Sequence, residues 1–275
     1  TRKNKKINKM GKFFKVDAKP LIPASLQHSG SNMTVTKGLA DWTEFEVPRG
    51  AAKLIGINIL FKGVNGADVN PTDFEIIWAK GNPDGSAPTS LVSPGAIVAV
   101  PAAGSPPWYN LLQGRTYIDA TEMKSSVDLL TMRQISPSYI MGGKNNASQS
   151  TSFSLGGNTE VVLEGEPNSG SNVGYDKLYC AIINQATSPY TTSTLNSDGV
   201  HAITQNQMTV ATIDARLAFA PGDVMHDEND RLMGTVKSVD SATVITFEDN
   251  LANASVDAEH MYNVNPMVFQ LSFEK

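Results

Sequence analysis

Short runs of alternating apolar residues, each closed off by Gly, Pro, Ser or Asn, recur along the chain and restrict it to strands joined by turns. In residues 54–61, Ile55, Ile57, Ile59 and Phe61 fall on one face by period two. The opposite face is mixed, which predicts a largely buried strand. The Asn65-Gly66 pair reads as part of a turn, and residues 73–78 read as the next strand. Further strands are expected at 96–100, 117–120, 151–155, 160–163 and 177–184. Residues 121–134 depart from this pattern, and their near-helical apolar spacing predicts a short helix over a sheet edge. After a Ser/Thr-rich stretch, five short strands are expected at 213–219, 223–225, 232–239, 243–247 and 267–273. The chain therefore reads as all-β. A basic arm (residues 1–19) precedes a jelly-roll-like β-sandwich body (20–190), a linker (191–204) and a small SH3/OB-like β-barrel (205–275).

Composition excludes the main alternatives. Charged residues make up 18% of the chain and apolar residues 40%, while Ser, Thr and Asn together supply 66 of 275. A coiled coil or helical repeat would need Ala, Glu, Lys, Leu and Arg to provide about half the residues. Wholesale disorder is inconsistent with near-normal apolar content and a net charge of −5. No apolar run reaches the roughly 18 residues that a membrane helix needs. The first residues carry no apolar core of the secretory type. Cys180 is the only cysteine, so no disulfide framework forms within the chain. Its apolar surroundings predict a buried, inert thiol.

Charge is unevenly distributed. Residues 1–15 hold seven basic residues and no acid, whereas residues 205–275 hold four basic against eleven acidic ones. A block of like charge is expected to be a solvated arm. Arg2, Lys3, Lys5, Lys6, Lys9, Lys12 and Lys15, together with Phe13 and Phe14, are the candidate partner-binding residues. Two partners suit such an arm: an acidic protein surface, including that of a neighbouring copy, or phosphates of nucleic acid. The paired phenylalanines favour a protein surface, because aromatic rings seek a dry site.

Catalytic and metal patterns are weak. His28, His201, His226 and His260 lack metal-ligand spacing and have no thiol partners, so no zinc site is expected. Asp223, Asp227, Glu228, Asn229 and Asp230 offer oxygen ligands, but not in EF-hand order, and a polar hairpin tip is the simpler reading. No nucleophile elbow, phosphate loop or dinucleotide glycine motif occurs. No catalytic residue, cofactor or enzyme activity is therefore predicted. Trp108, after Pro106-Pro107, and its neighbour Tyr109 are the candidate carbohydrate-contacting aromatics.

Three motifs carry a resemblance: Pro221-Gly222-Asp223-Val224, the run Gly234-Thr235-Val236-Lys237-Ser238-Val239, and the closing Tyr262-Asn263-Val264-Asn265-Pro266. With them, the C-terminal module resembles one in virion structural proteins of tailed bacteriophages, particularly of marine cyanophage type. The resemblance implies a non-enzymatic particle component, most like a capsid decoration (cement) protein located in the virion. Its implied partners are the major capsid protein and copies of itself in a symmetric oligomer such as a trimer. A neck or tail connector and a carbohydrate-binding module are the alternatives. No membrane partner is implied.

Overall fold

In this computed structural model, the described residues are 12–29, 37–61, 73–91, 93–98, 108–118, 123–126, 129–135, 161–166, 174–186 and 195–275. In chain order the first elements are β1 (Phe13–Ala18), α1 (Ala24–Ser29), β2 (Gly38–Pro48), β3 (Ala52–Phe61) and β4 (Phe74–Lys80). A 3-10 turn (Trp108–Leu111) leads into β5 (Leu112–Ile118), β6 (Met123–Ser126), β7 (Leu129–Ile135), β8 (Val161–Leu163) and β9 (Tyr175–Asn184). The next segment holds β10 (Asn196–Ser197), β11 (Gln207–Ala211), α2 (Ala215–Ala218), β12 (Val224–Asp227), β13 (Leu232–Val239), β14 (Val244–Phe247) and β15 (Met261–Asn263). The chain then closes with β16 (Met267–Glu274).

The fold is all-β. One sheet has the order β1-β16-β3-β7-β6, with β8 on β3, and the second has the order β2-β9-β4-β5. Every pairing is antiparallel. Consecutive strands β1 to β4 alternate between the two sheets, and the last strand inserts between the first and third. That is jelly-roll winding, with β8 and β7 sharing the outer edge of β3.

Period-two alternation fills the space between the sheets. Phe74, Ile76 and Trp78 of β4 join Leu178, Cys180 and Ile182 of β9, facing Leu54, Ile57 and Ile59 of β3 and Phe269, Leu271 and Phe273 of β16. The intervening residues of the second sheet, Ile77, Ala181 and Ile183, point outward to a smaller cluster under Leu91, Trp42 and Trp108. Cys180 is fully buried, and desolvation pushes its thiol pKa up to about 12, as an inert core cysteine requires.

The C-terminal module is a six-stranded sheet, β10-β11-β14-β13-β12-β15. An Asn196–His260 bridge and the bond from the Met261 amide to the Leu195 carbonyl (2.9 Å) join its two edges into a nearly closed barrel. Its own core holds Met208, Val210, Met225, Met233, Ile245 and Phe247. Gly234 allows β13 to press onto that core, since a Cβ there would stand 2.8 Å from the Phe247 ring.

Four expectations are corrected. Residues 267–273 form a strand, but it belongs to the body: β16 pairs with β1 and β3. The barrel is therefore inserted between two jelly-roll strands, because Met267, Phe269, Leu271 and Phe273 of β16 join the sandwich core and both its edges are paired there. Residues 121–134 contain the β6–β7 hairpin, with β7 paired to β3 at Leu60–Gln134 and Phe61–Arg133, where an open edge outweighs weak helical spacing. Residues 213–219 hold α2, started by Asp214 accepting from the Arg216 amide. The described part of the 191–204 linker is ordered, with Leu195 buried and β10 paired to β11.

The strands expected at 54–61, 73–78, 160–163 and 177–184 coincide with β3, β4, β8 and β9. That at 117–120 overlaps the end of β5, whereas at 96–100 only an isolated Lys37–Ile97 bridge is described. The 151–155 strand lies outside the described residues.

A polar joint connects barrel and body. The Ile22 amide donates to the Val264 carbonyl (2.8 Å), and buried Gln27 donates to the carbonyls of Ile22 and Asn263 (2.9 Å each). Asn265 reaches the Lys19 and Pro20 carbonyls at 3.3 and 3.4 Å. The Ser25 amide and hydroxyl both donate to the Asp230 carboxylate. The Asn263-Val264-Asn265-Pro266 motif is thus the hinge-side seal of the inserted module.

Candidate functional site

The predicted arm divides at Lys12. Arg2, Lys3, Lys5, Lys6 and Lys9 lie outside the described residues. Lys12 exchanges two main-chain hydrogen bonds with Lys275 (3.2 and 2.9 Å), and Phe13, Phe14 and Lys15 belong to β1. The arm boundary at residue 19 is therefore corrected to the start of β1. The reason is alternation: Phe14, Val16 and Ala18 turn toward the core, and Phe14 stacks on Phe273 at 5.2 Å and 17°. Burying that face outweighs the solvation of Lys12 and Lys15. Phe13 points the other way and is 70% exposed.

The aromatic candidates separate. Trp108 packs over the outer cluster beside Trp42, with ring centroids 6.5 Å apart, and is only partly accessible. Tyr109 stands edge-on to Trp108 at 6.0 Å and is half exposed. The Trp42 indole donates to the Thr89 carbonyl (2.9 Å), which holds this group against the second sheet.

The acidic loop at 223–230 is used internally. Asp223 accepts from the Ala220 amide (2.8 Å) and the Asn263 amide group (2.8 Å). Asp227, fully buried, accepts from the amides of Asn229 (2.9 Å) and Arg231 (2.8 Å) and pairs with the Arg231 guanidinium. Arg231 also bridges to Glu259. These bonds build the hairpin tip, and no cluster suited to a metal ion occurs among the described residues.

Histidines that look scattered in the sequence converge. His28 on α1 bonds the Tyr262 hydroxyl (2.8 Å) and lies 5.3 Å from the His260 ring, while His226 stands opposite Tyr262 in the β12–β15 ladder. His201 lies elsewhere, at the end of the barrel. Its Nδ1 is 3.1 Å from both the Ser197 and Ser255 hydroxyls. The Thr209 amide donates to its Nε2 (3.0 Å). That donation fixes a neutral ring with its proton on Nδ1, so the ring cannot take a proton from either serine. Both serines are buried. The group is a cross-brace for β10, β11 and residues 255–260.

Burial holds the pKa values of His201 and His226 below the ordinary imidazole range. Asp198 opposes this at His201, and Asp230 and Asp227 oppose it at His226. Unfolded, both rings protonate near pH 6.5. As pH falls through that value, the unfolded chain binds protons before the folded one, so the folded state loses stability until the folded rings also protonate. The expected slope is at most about 1.4 kcal/mol per pH unit for each ring. Calorimetric melting between about pH 7.5 and 5 checks it. A flat profile contradicts the buried, neutral assignment.

The same barrel end carries a surface that the sequence reading missed. His201 and Ser255 pair in an isolated bridge with both side chains inward. Their neighbours therefore face out in two opposed pairs, Val200 with Val256 and Ala202 with Ala254. Val200 is 72% exposed, Val256 59% and the adjacent Ile203 57%. Asp198 and Asp257 flank this patch, and Asp257 accepts from the Gly199 amide (2.9 Å). Residues 195–211 and 248–260 contain no Lys or Arg. The readable signal was that missing positive charge combined with alternation about His201 and Ser255.

Comparison with protein-family models, curated proteins and solved structures found no match to this chain.

Proposed function

We propose that this chain is a non-enzymatic structural component of a phage particle, most like a capsid decoration (cement) protein. The observation that carries the reading is the opposition of charge. A stretch of basic residues with no acid leads into the edge strand of a jelly roll, and that jelly roll carries an inserted barrel rich in acid. Opposite charges on separate parts of one chain favour repeated contacts with neighbours, and many modest contacts arranged by symmetry add up to firm attachment. Two-sheet jelly rolls also serve in viral capsid and lectin domains, which supports the reading by fold-level analogy. The partners proposed are the major capsid protein and further copies of the chain, in a symmetric oligomer such as a trimer within the virion.

Removing residues 1–11 deletes five of the seven leading positive charges and leaves β1 intact. Attachment to purified capsid shells is expected to weaken about tenfold or more at about 0.1 M salt, with the melting temperature unchanged. Undiminished attachment of the shortened chain would remove the basic stretch from the mechanism. Copy number per particle separates shell decoration, at hundreds, from a neck or tail connector, at about six or twelve.

One observation favours a second reading. Tyr109 is half exposed beside the Trp42–Trp108 pair, an arrangement that suits stacking on a sugar face. Saturable glycan binding lost on Tyr109→Ala would support a carbohydrate-binding role.

A further inference from the structure

The exposed patch on the barrel end presents apolar side chains inside an acidic rim. Val200, Ile203 and Val256 stand well out of the surface with Ala202 and Ala254 between them. Exposed Asp198, Asp249 and Asp257 lie in the surrounding segments, and no basic residue occurs in them. A ligand matching this surface needs positive charge interspersed with a few apolar side chains. An acidic rim repels nucleic acid and other polyanions.

Residues 1–12 have that composition. Arg2, Lys3, Lys5, Lys6, Lys9 and Lys12 are interspersed with Ile7 and Met10, and no acid occurs among them. Geometry decides whose stretch it is. Lys12 lies beside Lys275, at the end of β16. The other end of β16 follows Asn265 at the barrel joint. Eight strand residues place Lys12 about 25 Å from that joint. A fully extended run from Arg2 to Lys12 spans at most about 35 Å, so only its outermost residues would return to the barrel of the same chain. Seating several lysines on the patch requires a second copy.

We infer that the basic stretch of one copy docks on the Val200–Val256 face of a neighbouring copy's barrel, forming a head-to-tail contact. The inference rests on the proposed assembly role and adds to it the receiving surface. Such a contact is heterologous, with different surfaces on the two sides, and generates closed rings or trimers when the rotation closes. Apolar contact with Ile7 and Met10 provides seating, while the acidic rim steers the approach and makes it sensitive to salt.

The test uses a labelled synthetic peptide of residues 1–12 titrated against the chain lacking residues 1–11, followed by fluorescence anisotropy. Saturable binding is expected. Val200→Asp with Val256→Asp should weaken it about tenfold or more. Asp198→Lys with Asp249→Lys should weaken it similarly, as should raising salt from about 0.05 to 0.5 M. Both pairs are exposed, and unchanged melting of each variant confirms that the barrel is intact.

A mixing experiment makes the test independent of the peptide. The chain lacking residues 1–11 keeps the patch, and the Val200→Asp/Val256→Asp chain keeps the basic stretch. Light scattering should show each alone as a monomer and the mixture as a one-to-one pair. Peptide binding unaffected by either substitution pair, or a mixture that stays monomeric, overturns the inference. Peptide that binds duplex DNA but not the protein also overturns it. The two readings fail separately. Peptide binding unaffected by the patch substitutions sinks the docking face alone, whereas peptide docking without any shell attachment sinks the decoration role alone.

Discussion

Trp78→Ala should destabilise the sandwich by about 3–5 kcal/mol, the range for removing a large aromatic side chain from a rigid core. Trp78 is fully buried at the middle of β4, paired to Cys180 on one side and Gly114 on the other. Its ring meets Phe45 edge-on at 6.1 Å. Phe45 stacks on Phe273 at 6.4 Å, and Phe273 on Phe14 at 5.2 Å. This run of four rings crosses from the second sheet to the first and ends on β1. Truncation opens a cavity at the centre and also loosens the seat of β1, which carries the basic stretch. Trp78→Phe tests the polar part separately. It keeps most of the ring contact but removes the indole donor to the buried Thr116 hydroxyl (2.9 Å), at about 1–2 kcal/mol. Guanidinium unfolding measures both, and a loss below about 1 kcal/mol for the alanine variant would show that the two sheets do not depend on this ring.

Asn263→Ala should cost about 2–4 kcal/mol, more than its small side chain would suggest. Its amide group donates to the Ala218 carbonyl (2.9 Å) and the Asp223 carboxylate (2.8 Å), and its carbonyl oxygen accepts from the Asn265 amide (2.8 Å). The residue is buried, as are Asp223 and Ala218, so truncation strands polar groups away from water. The effect should concentrate at the joint. Hydrogen exchange is expected to rise in residues 218–224 and 262–266 more than in the β13–β14 ladder, which has its own core. Uniform acceleration throughout the barrel would mean that Asn263 supports the module as a whole rather than its attachment.

These two sites mark where sequence reading succeeds and where it stops. The alternation in residues 54–61, 73–78 and 177–184 identified β3, β4 and β9, although in β3 an irregularity opposite Ser272–Phe273 puts Leu54, not Ile55, in the core with Ile57 and Ile59. The Asn263-Val264-Asn265-Pro266 motif was visible as a motif, but its role was not, since its partners lie up to 246 residues away. The histidines were equally opaque: His28 and His260 meet only after α1 crosses the barrel. β2 was missed although it runs for 11 residues, because Asp41, Thr43, Glu44 and Glu46 interrupt its apolar pattern at the end where its outer face is wet. The exposed patch at Val200 and Val256 was missed because the lack of positive charge around it gains meaning only once the His201–Ser255 bridge brings together two segments 54 residues apart.

The sequence alone determined that this chain is all-β, that its lone cysteine is a core residue and that its positive and negative charges are segregated, since alternation, apolar context and charge are local properties. Tertiary structure decided which sheet each strand joins. β16 reads locally like a barrel strand, yet it inserts between β1 and β3, where both its edges are paired and its Met267–Phe269–Leu271–Phe273 face enters the sandwich core. That choice turns an appended module into an inserted one and places Lys12 beside Lys275, at the end of β16 away from the barrel joint.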